Sequence, residues 1–213
     1  MSHARLLYAV TPDPLAADPP RLLDACAAAI AGGARLLQYR DKKSAADARR
    51  RNAEALLALC RAQGARFIVN DDAGLAAAIG ADGAHLGQSD GALAAARALL
   101  GPEALIGASC ASDLARAEAA LAAGASYVAF GRFFASNTKP DAPPAEPAVL
   151  VDARARLAAP ICAIGGVTPD NGARLLAAGA DWLAAVDGLF GAGDPAAIER
   201  RARAYCALFE QPR

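Results

Sequence analysis

Charged side chains that could bind a metal ion and phosphate groups follow several short apolar runs in this 213-residue chain. Asp71 and Asp90 form an acidic pair, and Arg40, Lys42 and Lys139 are cations near similar run ends. Two carboxylates that converge repel each other unless a cation such as Mg²⁺ lies between them. Carboxylates, a divalent cation and converging basic side chains favour a polyphosphate ligand over a neutral one. We therefore expect a magnesium-dependent site for a polyphosphate.

A second set of residues is typical of a phosphate monoester site. Gly165 and Gly166 come shortly before a predicted helix start. Exposed backbone N–H groups and the helix dipole at such a start favour an anion. Gln38 and Asn70 close two strands with buried character, so we expect their amides to form hydrogen bonds near the same site.

Some polar residues also have a purely structural interpretation. Aspartate is favoured at helix N-caps, and Asp72 directly precedes a helical stretch, so we expect Asp72 to be a cap. The same interpretation is open for Asp71 and Asp90, although we favour metal binding for that pair. We expect His85 to be a structural hydrogen-bonding group and Arg132 to lie on the solvated surface.

The elements that must position these residues follow from a repeated phrase of Gly, Ala, one further residue and an apolar run. It begins at Gly33, Gly64, Gly83, Gly124 and Gly179, each time after an Ala/Leu-rich stretch with helical periodicity. Because glycine just past a helix can adopt φ > 0, each phrase predicts a capped helix end followed by a buried strand. The repetition predicts alternating β and α elements and a parallel sheet.

Eight strands are predicted once the other apolar runs are included. They are expected at 6–10, 35–39, 66–70, 84–86, 104–108, 126–130, 161–164 and 182–186, with a terminal helix over about 195–208. Eight βα units in a chain of this length predict an α/β, single-domain (β/α)8 TIM barrel over residues 1–213. A doubly wound open sheet is the alternative, but no Gly-x-Gly-x-x-Gly motif follows the first strand. In a barrel, the polar residues fall at the carboxyl ends of the strands, where active sites lie.

Composition and charge exclude several classes of protein. The 22 basic residues are offset by 22 acidic ones, so the chain lacks the excess of positive charge typical of nucleic-acid or membrane-surface binders. No apolar run approaches the roughly 18 residues of a membrane-spanning helix. The five cysteines are scattered without a Cys-x-x-Cys pair, and we expect buried free thiols. The short apolar run before Thr11 lacks the core of a signal peptide, so we expect a cytoplasmic location.

Several of these residues belong to motifs that occur in one order along the chain. The motifs are Gln38-x-Arg40-x-Lys42, Asn70-Asp71, His85-Leu86-Gly87-Gln88-x-Asp90, Ser109, Ser136-x-Thr138-Lys139 and Ile164-Gly165-Gly166-Val167. Each is a modest signal alone, but the ordered set closely resembles the thiamine-phosphate synthase (thiamine-phosphate pyrophosphorylase) family. The resemblance implies a transferase that joins hydroxymethylpyrimidine diphosphate to hydroxyethylthiazole phosphate, or to its carboxylated form. Thiamine phosphate and pyrophosphate would be the products, with Mg²⁺ as cofactor.

The resemblance also implies a role for each matching residue. The pyrimidine diphosphate would be held by Gln38, Tyr39, Arg40, Asp41, Lys42, Asn70, Ser109 and Lys139. Of these, the catalytic residues would be Arg40, Lys42, Ser109 and Lys139. The thiazole phosphate would be held by Ser136, Asn137, Thr138, Gly166, Val186 and Asp187, and Mg²⁺ by Asp71 and Asp90. Family resemblance further suggests a homodimer.

Two residues depart from the family pattern. Ser136 stands where many members have Thr, a change that keeps the hydroxyl group. Asp187 stands where many have Ser, and a carboxylate near a phosphate is unfavourable unless it points away.

Two other functions remain open at this stage. A related thiazole tautomerase would need neither diphosphate nor metal, and the intact set of Lys42, Asp71, Asp90 and Thr138-Lys139 argues against it. A non-catalytic phosphate-binding barrel is favoured only by Asp187.

Overall fold

Eight parallel strands close into a barrel in the computed structural model of the chain, in sequence order and with β1 paired to β8. The structure describes residues 3–87, 90–136 and 143–210, without the side chains of Asp90 and Gly91. The strands are β1 (Leu6–Val10), β2 (Leu36–Tyr39), β3 (Arg66–Asn70), β4 (Gly83–Leu86), β5 (Leu105–Ala111), β6 (Tyr127–Phe130), β7 (Ile161–Ala163) and β8 (Trp182–Ala185). The predicted (β/α)8 TIM barrel is confirmed, although β5 extends to Ala111 where its end was expected at 108.

Helices alternate with the strands and surround the barrel. They are α1 (Asp13–Ala16), α2 (Pro19–Ala31), α3 (Ala46–Gln63), α4 (Ala73–Ile79), α5 (Asp90–Leu100), α6 (Leu114–Ala122), α7 (Ala148–Arg156), α8 (Pro169–Ala177), α9 (Asp187–Phe190) and α10 (Pro195–Ala207). A short 3-10 helix, Leu208–Glu210, follows α10, which is the predicted terminal helix. The four-residue helices α1 and α9 were not predicted, and both directly follow the ends of barrel strands.

Aspartate side chains begin several of these helices. Asp18, Asp72, Asp113 and Asp194 are the N-caps of α2, α4, α6 and α10, and each accepts a hydrogen bond from a backbone N–H near the helix start. Such caps satisfy backbone donors that have no partner within the helix. The cap predicted at Asp72 is confirmed, since its Oδ1 lies 2.8 Å from the backbone nitrogen of Leu75.

Glycine has two different roles in the repeated phrase. Gly64 ends α3 with φ of 69°, as predicted. Gly83 does not end α4, because Gly80 takes that position with the same φ. Gly83 instead begins β4, and a Cβ there would overlap the carbonyl of Leu105 on β5. The prediction that Gly83 caps a helix was therefore wrong, and the residue is glycine because two strands approach closely.

The apolar side chains form an outer and an inner layer. Because side chains alternate along a strand, β1 directs Leu7 and Ala9 towards the helices, and Tyr8 and Val10 into the barrel. The buried residues of the inner layer are Tyr8, Val10, Leu36, Ile68, Tyr127, Ala129, Cys162, Trp182 and Ala184. Aromatic rings dominate this layer, with the centroids of Tyr127 and Trp182 only 4.8 Å apart. The inner layer therefore packs the interior of the barrel.

The cysteines agree with the sequence-based expectation. All five are free thiols, of which four are buried and Cys206 is half-buried. Separately, none of the helices in the described part of the chain is both long enough and apolar enough to cross a membrane.

Candidate active site

A cavity of about 650 Å³ opens at the carboxyl ends of the barrel strands. Its volume lies within the range of small-molecule binding sites. Every strand contributes to its lining directly or through the loop that follows it. The sequence-predicted residues that line it are Gln38, Arg40, Asn70, Ser109, Ser136, Gly166, Val186 and Asp187.

A continuous chain of hydrogen bonds crosses the floor of this cavity. The Gln38 Nε2 donates to the Tyr8 hydroxyl at 2.6 Å, and the hydroxyls of Tyr8 and Tyr127 are 2.7 Å apart. His85 continues the chain, with Nδ1 3.0 Å from the Tyr127 hydroxyl and Nε2 2.9 Å from the Ser109 Oγ. The chain therefore connects two predicted ligand-binding residues, Gln38 and Ser109, through three others.

The donor is fixed at one end of this chain, where Gln38 Nε2 donates to the Tyr8 hydroxyl. Either hydroxyl can be the donor in the contact between Tyr8 and Tyr127. The roles of the two His85 ring nitrogens towards Tyr127 and Ser109 depend on the tautomer of His85. Burial raises the pKa of Tyr8 and Tyr127 well above its ordinary value, so both hydroxyls keep their protons.

Ser109 is positioned by an irregularity in its strand. The register between β5 and β6 shifts between Ser109 and Ala111, and Ala111 adopts φ of 52°. Such bulges redirect side chains and commonly lie beside active sites. The bulge therefore begins at the point of β5 where Ser109 lines the cavity.

Asp13 holds the basic side of the cavity in place. Its Oδ2 accepts a hydrogen bond from Arg40 Nη1 at 2.7 Å, and its Oδ1 accepts one from the backbone nitrogen of Lys42 at 3.0 Å. The hydroxyl of Thr11 accepts from the Arg40 backbone nitrogen and donates to the Arg40 carbonyl oxygen. Only 12% of the Arg40 side chain is exposed, so these contacts restrict the orientation of its guanidinium group.

Lys42 and Asp71 form an ion pair outside the cavity lining. Lys42 Nζ lies 3.1 Å from Asp71 Oδ2, which also accepts a hydrogen bond from the Asn70 Nδ2 at 2.8 Å. Asp71 has φ of 58°, in the left-handed region that aspartate tolerates better than most residues. The pair therefore follows the ends of β2 and β3, beside the lining residues Arg40 and Asn70.

The donor chemistry at Asp71 fits a magnesium site. The Asp71 side chain is 45% exposed, and its Oδ1 has no hydrogen bond to any described residue. Mg²⁺ prefers carboxylate oxygens, keeps several waters, and needs only one or two protein carboxylates beside a phosphate ligand. Within the described ranges no cluster of three or more potential metal-binding His, Cys, Asp or Glu side chains occurs. The side chain of Asp90, the other predicted ligand, lies outside the described residues.

The opposite wall of the cavity is built from the loop after β7 and the start of α9. Asn171 organises this loop, since its Oδ1 accepts from the Thr168 backbone nitrogen and its Nδ2 donates to the Gly166 carbonyl. Val186 is the N-cap of α9, and Asp187 is its first residue. Asp187 is exposed and lines the cavity at the wall predicted to receive a phosphate.

Besides Lys42, the predicted ligand-binding residues Tyr39 and Asp41 do not line the cavity. The Tyr39 side chain is buried in the outer layer, and its hydroxyl donates to Asp41 Oδ2 at 2.7 Å. The other oxygen of Asp41 accepts hydrogen bonds from the backbone nitrogens of Lys43 and Ser44. Burial raises the pKa of Asp41, but the hydrogen bonds from Ser44, Tyr39 and Lys43 outweigh burial and hold the pKa below its ordinary value. Both side chains therefore stabilise the loop that carries Arg40 and Lys42.

Three other predicted residues, Asn137, Thr138 and Lys139, lie outside the described residues.

Several residues that line or support the cavity were not identified from the sequence. Tyr8 and Tyr127 belong to strands of buried character, and only the alternation of side chains places them inside the barrel. Arg132, expected on the surface, instead lines the cavity just after β6. No local pattern in the sequence marks Asp13 or Arg201. Asp13 contacts Arg40, and Arg201 reaches the cavity, only because segments far apart in the chain come together in the fold.

Comparisons with known proteins agree with one another. The sequence profile of the thiamine monophosphate synthase family matches residues 7–189. A thiamine-phosphate synthase from Chromobacterium violaceum is 57% identical over 194 residues, covering 91% of this chain and 92% of that protein. A solved thiamine phosphate pyrophosphorylase from Pyrococcus furiosus superposes with a TM-score of 0.84 at 28% identity, covering 96% of this chain and 95% of the other. The fold is shared with a thiamine phosphate pyrophosphorylase from Bacteroides thetaiotaomicron, with a TM-score of 0.67, 14% identity and coverage of 98% and 100%.

Proposed function

The chain belongs to the thiamine monophosphate synthase family, and on that premise we propose that it condenses hydroxymethylpyrimidine diphosphate with hydroxyethylthiazole phosphate. The products are thiamine phosphate and pyrophosphate, which makes the protein a transferase. The observation that carries this proposal is one cavity with a fixed arginine on one wall and a glycine loop beside a helix start on the other. Such a cavity offers separate positions for a diphosphate and a phosphate monoester.

The reaction needs stabilisation of negative charge more than a nucleophile from the protein. The bond between the pyrimidine methylene carbon and the diphosphate oxygen breaks, and the thiazole nitrogen forms a new bond to that carbon. The electron pair of the broken bond leaves with pyrophosphate, and the positive charge ends on the thiazolium nitrogen. Preorganised positive groups near the departing oxygen accelerate such a step.

Arg40 and Lys42 stabilise the departing diphosphate in this proposal. The Asp13 carboxylate engages only Nη1 of Arg40, and the other N–H groups of this guanidinium have no hydrogen bond to the described residues. Lys42 is half exposed beside them and is held by Asp71. Lys139 completes the proposed cationic set by family resemblance.

Gln38, Asn70 and Ser109 orient the pyrimidine in this proposal. Their support is the cavity floor, where one chain of hydrogen bonds connects Gln38 to Ser109 through Tyr8, Tyr127 and His85. A hydroxyl at the position of Ser109 suits the diphosphate or the pyrimidine amine. Fixing the two reactants in one geometry supplies a large part of the catalysis.

Mg²⁺ completes the diphosphate site in this proposal, with Asp71 and Asp90 as its protein ligands. When bound, the ion would neutralise charge on the diphosphate and so make it a better leaving group. The exposed carboxylate oxygen of Asp71 supports this assignment.

The thiazole phosphate occupies the other wall in this proposal. Ser136, Gly166, Val186 and Asp187 are the described residues assigned to it, with Asn137 and Thr138 assigned by resemblance. The proposal extends to a carboxylated thiazole as an alternative substrate, whose carboxylate would leave as CO₂ while a proton takes its place on the ring carbon. It also includes a cytoplasmic location and a homodimer, both on the basis of family resemblance.

The test is a pyrophosphate-release assay with each component omitted in turn. Release should require both substrates, stop in EDTA, and return when Mg²⁺ is added in excess. An undiminished rate in EDTA would contradict the metal assignment. No release in the complete mixture would contradict the synthase function. It would favour the tautomerase or the non-catalytic phosphate-binding barrel, and Asp187 is the one residue that favours the latter.

A further inference from the structure

The carboxylate of Asp187 creates an electrostatic problem for the proposed thiazole phosphate site. Asp187 is exposed, lines the cavity and begins α9. A phosphate dianion near this carboxylate is repelled unless a cation faces both groups. Asp170 lines the same wall and adds a second carboxylate.

Arg201 is a cation on this wall. It lies on α10, is half-buried, and lines the cavity together with Asp170, Asp187 and Gly188. Arg201 and Asp170 both act electrostatically on Tyr205, which lies one helical turn further along α10. The three elements α8, α9 and α10 thus meet around one charged corner of the cavity.

A close contact fixes α10 against this corner. The Tyr205 hydroxyl donates to the Val167 carbonyl at 2.7 Å, and Val167 follows the glycine pair of the phosphate loop. Gly188 fits there because a Cβ would overlap the Val167 carbonyl and lie 2.6 Å from the Tyr205 hydroxyl. The backbone that carries Arg201 is therefore held at a set distance from the loop.

Within the described residues, Arg201 differs from Arg203 in having no ion pair, and from Arg200 in lining the cavity. Arg203 is paired with Glu199 at 2.6 Å, and Arg200 is exposed and outside the cavity lining. Within the described ranges, no ion pair or hydrogen bond engages the guanidinium of Arg201. A half-buried guanidinium that faces a cavity without a protein partner is suited to an anionic ligand.

We propose that Arg201 binds the phosphate group of the thiazole substrate and offsets the charge of Asp187. The identification of the phosphate as that of the thiazole substrate rests on the proposed function. The binding of a phosphate monoester by Arg201 does not. Arg201 is then a binding residue, and removing its charge should weaken binding of this substrate more than it lowers the maximal rate. The pyrimidine diphosphate, which is assigned to the opposite wall, should be little affected.

The test compares Arg201→Gln with Arg200→Gln, a loss of the same charge from the adjacent residue. Thiazole phosphate binding is measured by calorimetry, and KM for each substrate is measured by pyrophosphate release. Loss of one charged hydrogen-bonding partner should weaken thiazole phosphate binding about 10- to 100-fold in Arg201→Gln. Arg200→Gln should stay within about twofold of the unsubstituted protein, as expected for an exposed charge.

Two further measurements separate the contact from other causes. Arg201→Lys keeps the charge and should recover part of the lost affinity for the thiazole phosphate. If Arg201→Gln folds poorly, this second variant still tests the contact. Binding of the thiazole alcohol without its phosphate should be the same in all variants that fold. Unchanged thiazole phosphate binding in Arg201→Gln, an equal loss in Arg200→Gln, or an equal loss for the alcohol would each overturn the proposal. Calorimetry measures this difference in binding even if the protein has no synthase activity.

Discussion

Replacing Asp13 by alanine removes the contacts that hold the basic side of the cavity. Both carboxylate oxygens are used, one by Arg40 Nη1 at 2.7 Å and one by the Lys42 backbone nitrogen at 3.0 Å. The side chains of Asp13 and Arg40 are only 18% and 12% exposed, so water replaces this partner poorly. We expect Asp13→Ala to release Arg40 from its orientation without removing any predicted ligand-binding side chain.

The size of the effect follows from the charged hydrogen bonds that are lost. A hydrogen bond to a charged group contributes about 1.5–3 kcal/mol, and partial exposure favours the lower part of that range. Since each kcal/mol shifts Tm by about 2–4 °C in a protein of this size, Asp13→Ala should lower Tm by about 3–8 °C. If the same free energy is lost from the orientation of Arg40, kcat/KM for the pyrimidine diphosphate should fall about 10- to 30-fold.

The assay measures kcat/KM for each substrate and Tm in Asp13→Ala, Asp13→Asn and Asp18→Ala. Asp18 caps α2 and accepts a hydrogen bond from the Arg21 backbone nitrogen, so its loss should cost about 1 kcal/mol of stability without touching Arg40. Asp13→Asn keeps acceptor capacity and should fall between alanine and the unsubstituted protein. A kcat/KM within about twofold of normal in Asp13→Ala would refute the positioning argument, and so would an equal fall in Asp18→Ala.

Three more outcomes are expected. Asp181→Ala breaks an ion pair with Arg154 at 2.7 Å, in which the Asp181 side chain is only 1% exposed. The free energy of unfolding should therefore fall by about 3 kcal/mol. The kcat/KM should stay unchanged, because the pair lies at the amino end of the barrel. Asp41 has a pKa below its ordinary value, because hydrogen bonds outweigh burial. We therefore expect the unsubstituted protein to have a higher free energy of unfolding than Asp41→Asn in urea titrations. This difference should be full above about pH 5 and shrink as the pH falls through the folded-state pKa of Asp41. Tyr127→Phe removes the hydroxyl that links Tyr8 to His85. It should lower the free energy of unfolding by about 1–3 kcal/mol and reduce kcat/KM. A variant with the same unfolding free energy and the same kcat/KM as the unsubstituted protein would contradict the hydrogen-bond chain.

The barrel could be predicted because its signal is local and repeated. Helix periodicity, a glycine and an apolar run recur along the chain, and each unit needs only its own residues to be recognised. Strand ends then placed Gln38, Asn70 and Ser109 at one face of the barrel. The role of Gly83 could not be assigned locally, because it depends on the carbonyl of Leu105 on the next strand.

The site was only partly predictable because alternation and long-range contacts decide it. Tyr39 follows Gln38 directly, so alternation along β2 directs it into the outer layer, away from the cavity. Tyr8 and Tyr127 looked like core residues and do fill the barrel, yet their hydroxyls form part of the cavity floor. Asp13 meets Arg40 from 27 residues away, and Arg201 reaches the cavity from the last long helix. Such contacts exist only once the barrel has closed.

The proposed reaction joins two phosphorylated substrates in one cavity and releases pyrophosphate. Phosphorus NMR of a single reaction with both substrates and Mg²⁺ follows every phosphorus-containing species at once. We expect thiamine phosphate and pyrophosphate to appear in equal amounts as the thiazole phosphate is consumed. Unchanged spectra, or loss of the diphosphate without consumption of the thiazole phosphate, would contradict this reaction.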